Sequence, residues 1–305
     1  MQAIAISTES RSNEVRPRAQ RVNDTQIATA VAAVQRRWNG APTEALVLGT
    51  GLGGLADLIN TEAIIPYQEV PGFPRSTALA HKGQLVCGRL GNATVVALQG
   101  RCHLYEGYCF EELTFATRLV AALGARRLIV SNAAGGVNPQ FSVGDVMLID
   151  DHINFMFQHL PFPTTTSAPA WRRSFAQELP PDGRSPGLPR HYYCRRLVER
   201  VLRLARQENI VLQRGVYVGV TGPNYETRAE YRMFRRIGGD AVGMSTIPEV
   251  LVAANCGMQV LGFSAITNVA RPDAPQHVDA QEVVDVAACA APKIERLLLR
   301  LLAAE

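Results

Sequence analysis

Short runs of uninterrupted apolar residues recur along this chain, and longer amphipathic stretches separate many of them. The runs occupy 45–48, 85–87, 93–100, 126–136, 145–153, 215–222, 241–245 and 259–268. The stretches at 23–38, 111–123, 195–208, 226–236, 247–256 and 281–303 space their apolar side chains for a helix instead. A strand that is apolar at every position is buried on both faces, as when helices cover a largely parallel sheet. The alternation therefore predicts an α/β domain with a largely buried sheet flanked by helices, with Asn23, Asp24 or Thr25 capping the first helix. With 47% hydrophobic residues over 305 positions, one such domain has ample material for a core.

The expected organisation is a polar lead-in over 1–22 and a single domain over 23–305. Within it, 158–194 is read as irregular, because Pro161, Pro163, Pro169, Pro180, Pro181, Pro186 and Pro189 crowd this segment. That density of fixed φ angles and missing donors is incompatible with a regular element. Long loops of this kind are usually lids, insertions or subunit contacts. Sheet-like runs continue on both sides, so the segment does not divide two domains.

A net charge of +4, with basic residues scattered in pairs and triples, argues against a nucleic-acid partner. No apolar run approaches the roughly 18 residues that a membrane helix needs, and the first 21 residues lack the apolar core of a secretory signal. The six cysteines (87, 102, 109, 194, 256, 289) follow neither metal-ligand nor disulfide spacing. They are read as unbridged, mostly buried thiols in a reducing, cytoplasmic compartment.

In α/β folds, chemistry collects beyond the carboxyl ends of strands. After the first run stand Gly49, Thr50, Gly51 and Gly54 in a G-x-G-x-x-G pattern. That pattern alone suggests a dinucleotide site, but the acidic residue expected about 20 positions on has only Glu69 as a candidate, between Pro66 and Pro71. Gly49 and Gly51 are read as allowing close backbone approach to an anion, and Gly54 as letting a helix start near the sheet. Later strand ends carry Arg101, His103, Tyr105 and Glu106; Asn132 and Ala133; Tyr225 and Glu226; Met244 and Ser245; and Thr267 and Asn268. Taken singly, these are turn residues, caps and surface pairs: Ser245, with Glu249 nearby, makes a respectable helix N-cap. Together, the glycine loop, Arg101, His103 and Ser245 supply what a phosphate dianion needs: loop amides, a planar bidentate cation, an imidazole and a hydroxyl. Tyr225, Glu226 and Asn268 supply an aromatic face, a carboxylate acceptor and an amide, the elements of a flat base pocket.

Six segments in order, including VLGTGLGGLAD, LQGRCHLYEGY, VSNAAGGVNPQFSVGDVMLIDDHINF and the GPNYET and GMSTIPE stretches, resemble the trimeric purine nucleoside phosphorylases. The resemblance spans about 25–157 and 195–300. It implies a single α/β domain with a central mixed, distorted β-sheet flanked by helices, and a homotrimer without metal or organic cofactor that cleaves inosine and guanosine with phosphate as co-substrate, giving free base and ribose 1-phosphate. By the same resemblance Thr50, His81, Arg101, His103, the Ala133 N–H and Ser245 hold phosphate. Tyr105 and Met244 touch ribose, Tyr225 packs on the base, and Glu226 and Asn268 read it, with Asn268, Glu226 and His103 as the catalytic set. Asn268, where methylthioadenosine phosphorylases carry Asp, points to 6-oxopurines. Two departures stand out. Ala280 occupies the place of a family histidine near the ribose 5′-hydroxyl, with His277 three residues earlier as a substitute. The aromatic that the family sends across the subunit boundary has no clear counterpart among Trp171, Phe175 and Tyr192. The alternatives are a phosphorylase for 5′-modified nucleosides such as methylthioinosine or methylthioadenosine, a dinucleotide-dependent oxidoreductase, and a non-catalytic nucleoside-binding protein.

Overall fold

The computed structural model describes residues 22–76, 81–157, 191–272 and 279–303. In chain order its main elements are α1 (Asp24–Arg37), β1 (Glu44–Leu48), β2 (Asn60–Pro66), β3 (Gln84–Leu90), β4 (Ala93–Gln99), α2 (Phe110–Leu113), α3 (Phe115–Ala122), β5 (Arg127–Gly136) and β6 (Val146–Asn154). They continue with α4 (Arg195–Gln207), β7 (Gln213–Gly219), α5 (Arg228–Arg236), β8 (Ala241–Gly243), α6 (Ile247–Asn255), β9 (Gln259–Val269) and α7 (Ala280–Ala303). Asn23 caps α1 in a reciprocal capping box with Gln26, which satisfies two otherwise orphaned groups at the helix start.

The strands form one mixed sheet in the order β2-β3-β4-β1-β5-β8-β7-β6-β9. A further parallel pairing of β5 with β9 closes the last five strands of that order on themselves. Strand β1 lies parallel between β4 and β5, and all five of its residues are buried, as its unbroken apolar run requires. Its side chains alternate between two cores. Ala45 and Val47 face one cluster with α1, α3 and α6, while Leu46 and Leu48 face the other with α4 and α7. Aliphatic layers on both faces fix the sheet plane, and so fix where its strand ends fall.

Three sequence expectations change here. Strand β2 appears where no strand was expected. It is a sheet-edge strand antiparallel to β3, and Pro66 is tolerated at its end because no ladder donor is needed there. The glycine cluster leads not into an α-helix but into a six-residue 3-10 turn, Gly53–Leu58, followed by that antiparallel edge. A dinucleotide fold needs a parallel βαβ unit at this point, so the topology rules out the oxidoreductase reading. A Cβ on Gly54 would meet nothing within 4 Å, so Gly54 is not there for close packing.

The expected helix over 111–123 is broken at Thr114, whose hydroxyl donates to the Phe110 carbonyl. The six cysteines form no disulfide, but they are not mostly buried: only Cys87 and Cys256 are, and Cys289 is exposed. The expected lead-in up to residue 21, nearly all of the proline-rich segment with Trp171 and Phe175, and His277 lie outside the described residues. Tyr192 packs on His152 with the rings tilted by 38° and centroids 4.9 Å apart.

Candidate active site

The glycine loop is tight for identifiable reasons. A Cβ on Gly49 would lie 2.5 Å from the Ser131 carbonyl and 3.0 Å from the Asn132 Cα. Gly51 has φ +74°, and a Cβ there would sit 2.5 Å from both the Ala287 Cβ and the Val284 carbonyl of α7. Neither position admits a side chain, and Gly51 also occupies the left-handed region that glycine enters without strain. The loop is thereby pressed onto β5 beside Asn132. Thr50 lies half-buried between these two glycines, and Ala133 half-buried on β5. Gln99 donates its side-chain amide to the Gly53 carbonyl at 2.7 Å and ties the far end of the loop to β4.

From the end of β4, Arg101 enters a buried polar junction and is itself 6% exposed. Its Nη1 donates to Ser245 Oγ at 2.7 Å and to Thr246 Oγ1 at 3.1 Å. Its Nε lies 3.3 Å from Glu249 Oε1 on the first turn of α6. Asn132 Nδ2 donates to the same Thr246 hydroxyl at 2.8 Å. Ser245 does not cap α6, contrary to its reading from sequence. The N-cap position falls to Thr246, which makes no side-chain capping bond, and Glu249 faces Arg101 instead of closing a capping box. The Arg101 Nη2, the Asn132 Oδ1 and the His81 Nε2 are buried without a hydrogen-bond partner. Buried orphans are rare in folded proteins, and a cluster of them marks a place for a polar ligand.

Three flat side chains stack beside this junction. His81 and His103 have centroids 5.7 Å apart and His103 and Tyr105 4.8 Å apart, each pair nearly parallel. Glu106 accepts from the His103 backbone N–H at 2.7 Å and pairs with its Nδ1 at 2.8 Å, leaving Nε2 as the working nitrogen. Burial, with His103 and Arg101 nearby, lowers the His81 pKa to about 3, so His81 is neutral at physiological pH. Its Nδ1 lies 2.8 Å from Ser76 Oγ. The ring is packed against Gly100, where a Cβ would lie 3.0 Å from the His81 Cβ.

At the other end, Gly222 fits between Tyr105 and Met244, since a Cβ there would collide with the Met244 sulfur and lie 3.1 Å from the Tyr105 ring. Tyr225 is 41% exposed, offering an open aromatic face. Burial raises the pKa of the neighbouring Glu226 carboxyl, and a hydrogen bond from Tyr231 opposes the rise. Asn268 follows Thr267 near the end of β9, and Thr267 Oγ1 donates to its Oδ1 at 3.2 Å. Gly135 of β5 gives it room, since a Cβ there would lie 3.2 Å from Asn268 Nδ2. Arg101, with Nη2 buried and unpartnered, gives the junction around it the polarity to attract an anion. Among the described residues no group of histidines, cysteines and carboxylates has metal-holding geometry.

Residues 43–303 match the family profile described as the phosphorylase superfamily. The purine nucleoside phosphorylase 1 of Geobacillus stearothermophilus is 45% identical over 87% of this chain and 92% of its own length. The purine nucleoside phosphorylase of Bos taurus is 42% identical over 86% and 89%. The chain belongs to the purine nucleoside phosphorylases. Among solved members of the family, a Schistosoma purine nucleoside phosphorylase in complex with hypoxanthine superposes with a TM-score of 0.79 at 31% identity, covering 93% of this chain and 99% of that one. The nucleoside phosphorylase fold, a mixed sheet flanked by helices in one domain, is shared with it. Within this phosphorylase, motif reading passes over Ser76 and Thr246 and takes Glu249 only as a cap partner of Ser245. Only Pro248, which marks a helix start, gave any sign of their setting.

Proposed function

We propose that this phosphorylase cleaves inosine and guanosine with inorganic phosphate, and that Arg101 and Ser245 form the core of the phosphate site. The observation that carries the reading is the Arg101 guanidinium, buried, held on one side by Ser245 and Thr246, with Nη2 left unpartnered. A phosphate dianion satisfies such a donor, and Thr50, His81, His103 and the Ala133 N–H add contacts around it. In the reaction a phosphate oxygen bonds to C1′ as the C1′–N9 bond breaks, through an oxocarbenium-like transition state of the kind met in glycoside hydrolysis. The bonding pair leaves with the purine. Asn268 stabilises the charge at N7 and O6, while Glu226 accepts from N1–H. Fixing phosphate beneath the sugar is an orientation effect, which in favourable systems lowers a barrier by roughly 7–11 kcal/mol. No side-chain nucleophile, metal or organic cofactor is needed.

Tyr105 and Met244 are assigned to the ribose and Tyr225 to the base face. The family resemblance implies a cytoplasmic homotrimer, and sedimentation should give three times the chain mass. Product analysis tests the reaction: incubation with inosine and phosphate should yield hypoxanthine and ribose 1-phosphate in equal amounts. Free ribose as the sugar product would make the protein a hydrolase instead.

A further inference from the structure

We propose that Thr246 is a positioning residue for the phosphate site, orienting Arg101 and fixing the direction in which the Ser245 hydroxyl donates. The inference rests on the phosphate assignment above and concerns a residue to which that assignment gives no substrate contact. Thr246 is fully buried and has φ +74° and ψ −50°, a backbone region that β-branched residues avoid. Strain of this kind persists only where the surroundings enforce it, and it gathers at functional sites.

The hydrogen bonds around Thr246 explain what it does. Its Oγ1 accepts from Arg101 Nη1 at 3.1 Å and from Asn132 Nδ2 at 2.8 Å. A hydroxyl has two acceptor positions and one proton, so both lone pairs are used and the proton is left to donate. The neighbouring acceptor is Ser245 Oγ at 3.1 Å. Ser245 Oγ already accepts from Arg101 Nη1 at 2.7 Å. With both of its own lone pairs engaged, Ser245 can only donate its proton, and that proton turns away from Thr246 and Arg101, leaving an incoming oxyanion and the Tyr217 hydroxyl, which accepts from the Ser245 N–H at 3.3 Å, as its acceptors. The two hydrogens on Nη1 are likewise used, so Arg101 presents Nη2, which is buried and unpartnered. Glu249 Oε1, 3.3 Å from Nε, forms an ion pair with the guanidinium without hydrogen-bonding Nε. The site therefore meets an incoming oxyanion with donors already aligned, and one hydroxyl outside the assigned contacts sets that polarity.

Replacing Thr246 by Val keeps the branching and removes the hydroxyl. The KM for phosphate should rise about tenfold, the size expected for a lost hydrogen bond to a charged group. The KM for inosine should change by less than about twofold, because that contact lies elsewhere. Thr246→Ser, which restores the hydroxyl, should return the phosphate KM to near wild type. Thr246→Gly separates positioning from folding: it relaxes the strained backbone, so its melting temperature should hold while its phosphate KM rises as in the valine variant. Inorganic phosphate alone should raise the melting temperature of the wild type more than that of either hydroxyl-free variant. An unchanged phosphate KM in both hydroxyl-free variants, or a serine variant as weak as valine, would overturn the proposal. A wild type that neither uses phosphate nor is stabilised by it would refute the phosphate assignment itself, and this inference with it.

Discussion

Asn268 and His81 show how differently two polar residues near one site act. Asn268 is assigned to charge developing on the leaving purine, so its effect belongs to the transition state. Asn268→Ala should lower kcat about 10²–10³-fold, the cost typical of losing one oxyanion-type donor, with the phosphate KM changed by less than about threefold. Equal losses in both would remove Asn268 from that role. His81 acts on stability. Its pKa is lowered from 6.5 to about 3 by burial and by His103 and Arg101 beside it, so the folded chain keeps it neutral while the unfolded chain protonates it. The unfolded state then binds more protons between those values, and stability must fall as pH drops from 6.5 toward 3, with no contribution above that window. His152, also lowered by burial, acts in the same direction. Denaturant midpoints measured across this range should slope less steeply in His81→Asn than in the wild type, and parallel slopes would contradict the assignment.

At the scale of elements, the glycine loop separates what pattern reading can recover from what it cannot. The glycines after β1 read as a loop open to an anion, but the close approaches at Gly49 and Gly51 are to β5 and α7, so packing alone accounts for both residues. Gly54 completes the motif yet touches nothing, because a 3-10 turn and an antiparallel edge follow in place of a helix packed on a parallel sheet. Gly51→Ala should therefore destabilise the protein by roughly 3 kcal/mol, combining overpacking against α7 with a left-handed backbone. Gly54→Ala should be neutral or stabilising by about 0.5 kcal/mol, since it only restricts the unfolded chain. Thermal melts of the two variants test the distinction, and similar losses would mean that the motif acts as a unit. The Ser245–Glu249 turn was misread for a related reason. Ser followed by Glu has the composition of a helix cap, and only the arrival of Arg101 from β4, 144 residues away in sequence, diverts both side chains. Local patterns predict local partners, and long-range polar partners override them.

For the whole molecule, unbroken apolar runs and helical periodicity were enough to read the α/β class, the single sheet and most strand positions, because burial on both faces leaves a simple mark on composition. They did not disclose that β5 pairs with β9 to close part of the sheet, nor that β2 forms an edge. Strand order depends on which faces and ends meet, and residue alternation does not record it. The candidate site was legible as a set of residues at strand ends, but its polarity was not. The unpartnered Arg101 Nη2 and the Thr246 junction emerge only when β1, β4, β5 and the β8–α6 turn are brought together. That convergence is the central claim: four separate strand ends build a site for free phosphate, used as the nucleophile on a purine nucleoside. The most direct test measures the initial rate of hypoxanthine release from inosine as inorganic phosphate is raised from zero. The rate should be negligible without phosphate and rise to saturation with it, and a rate independent of phosphate would contradict the account.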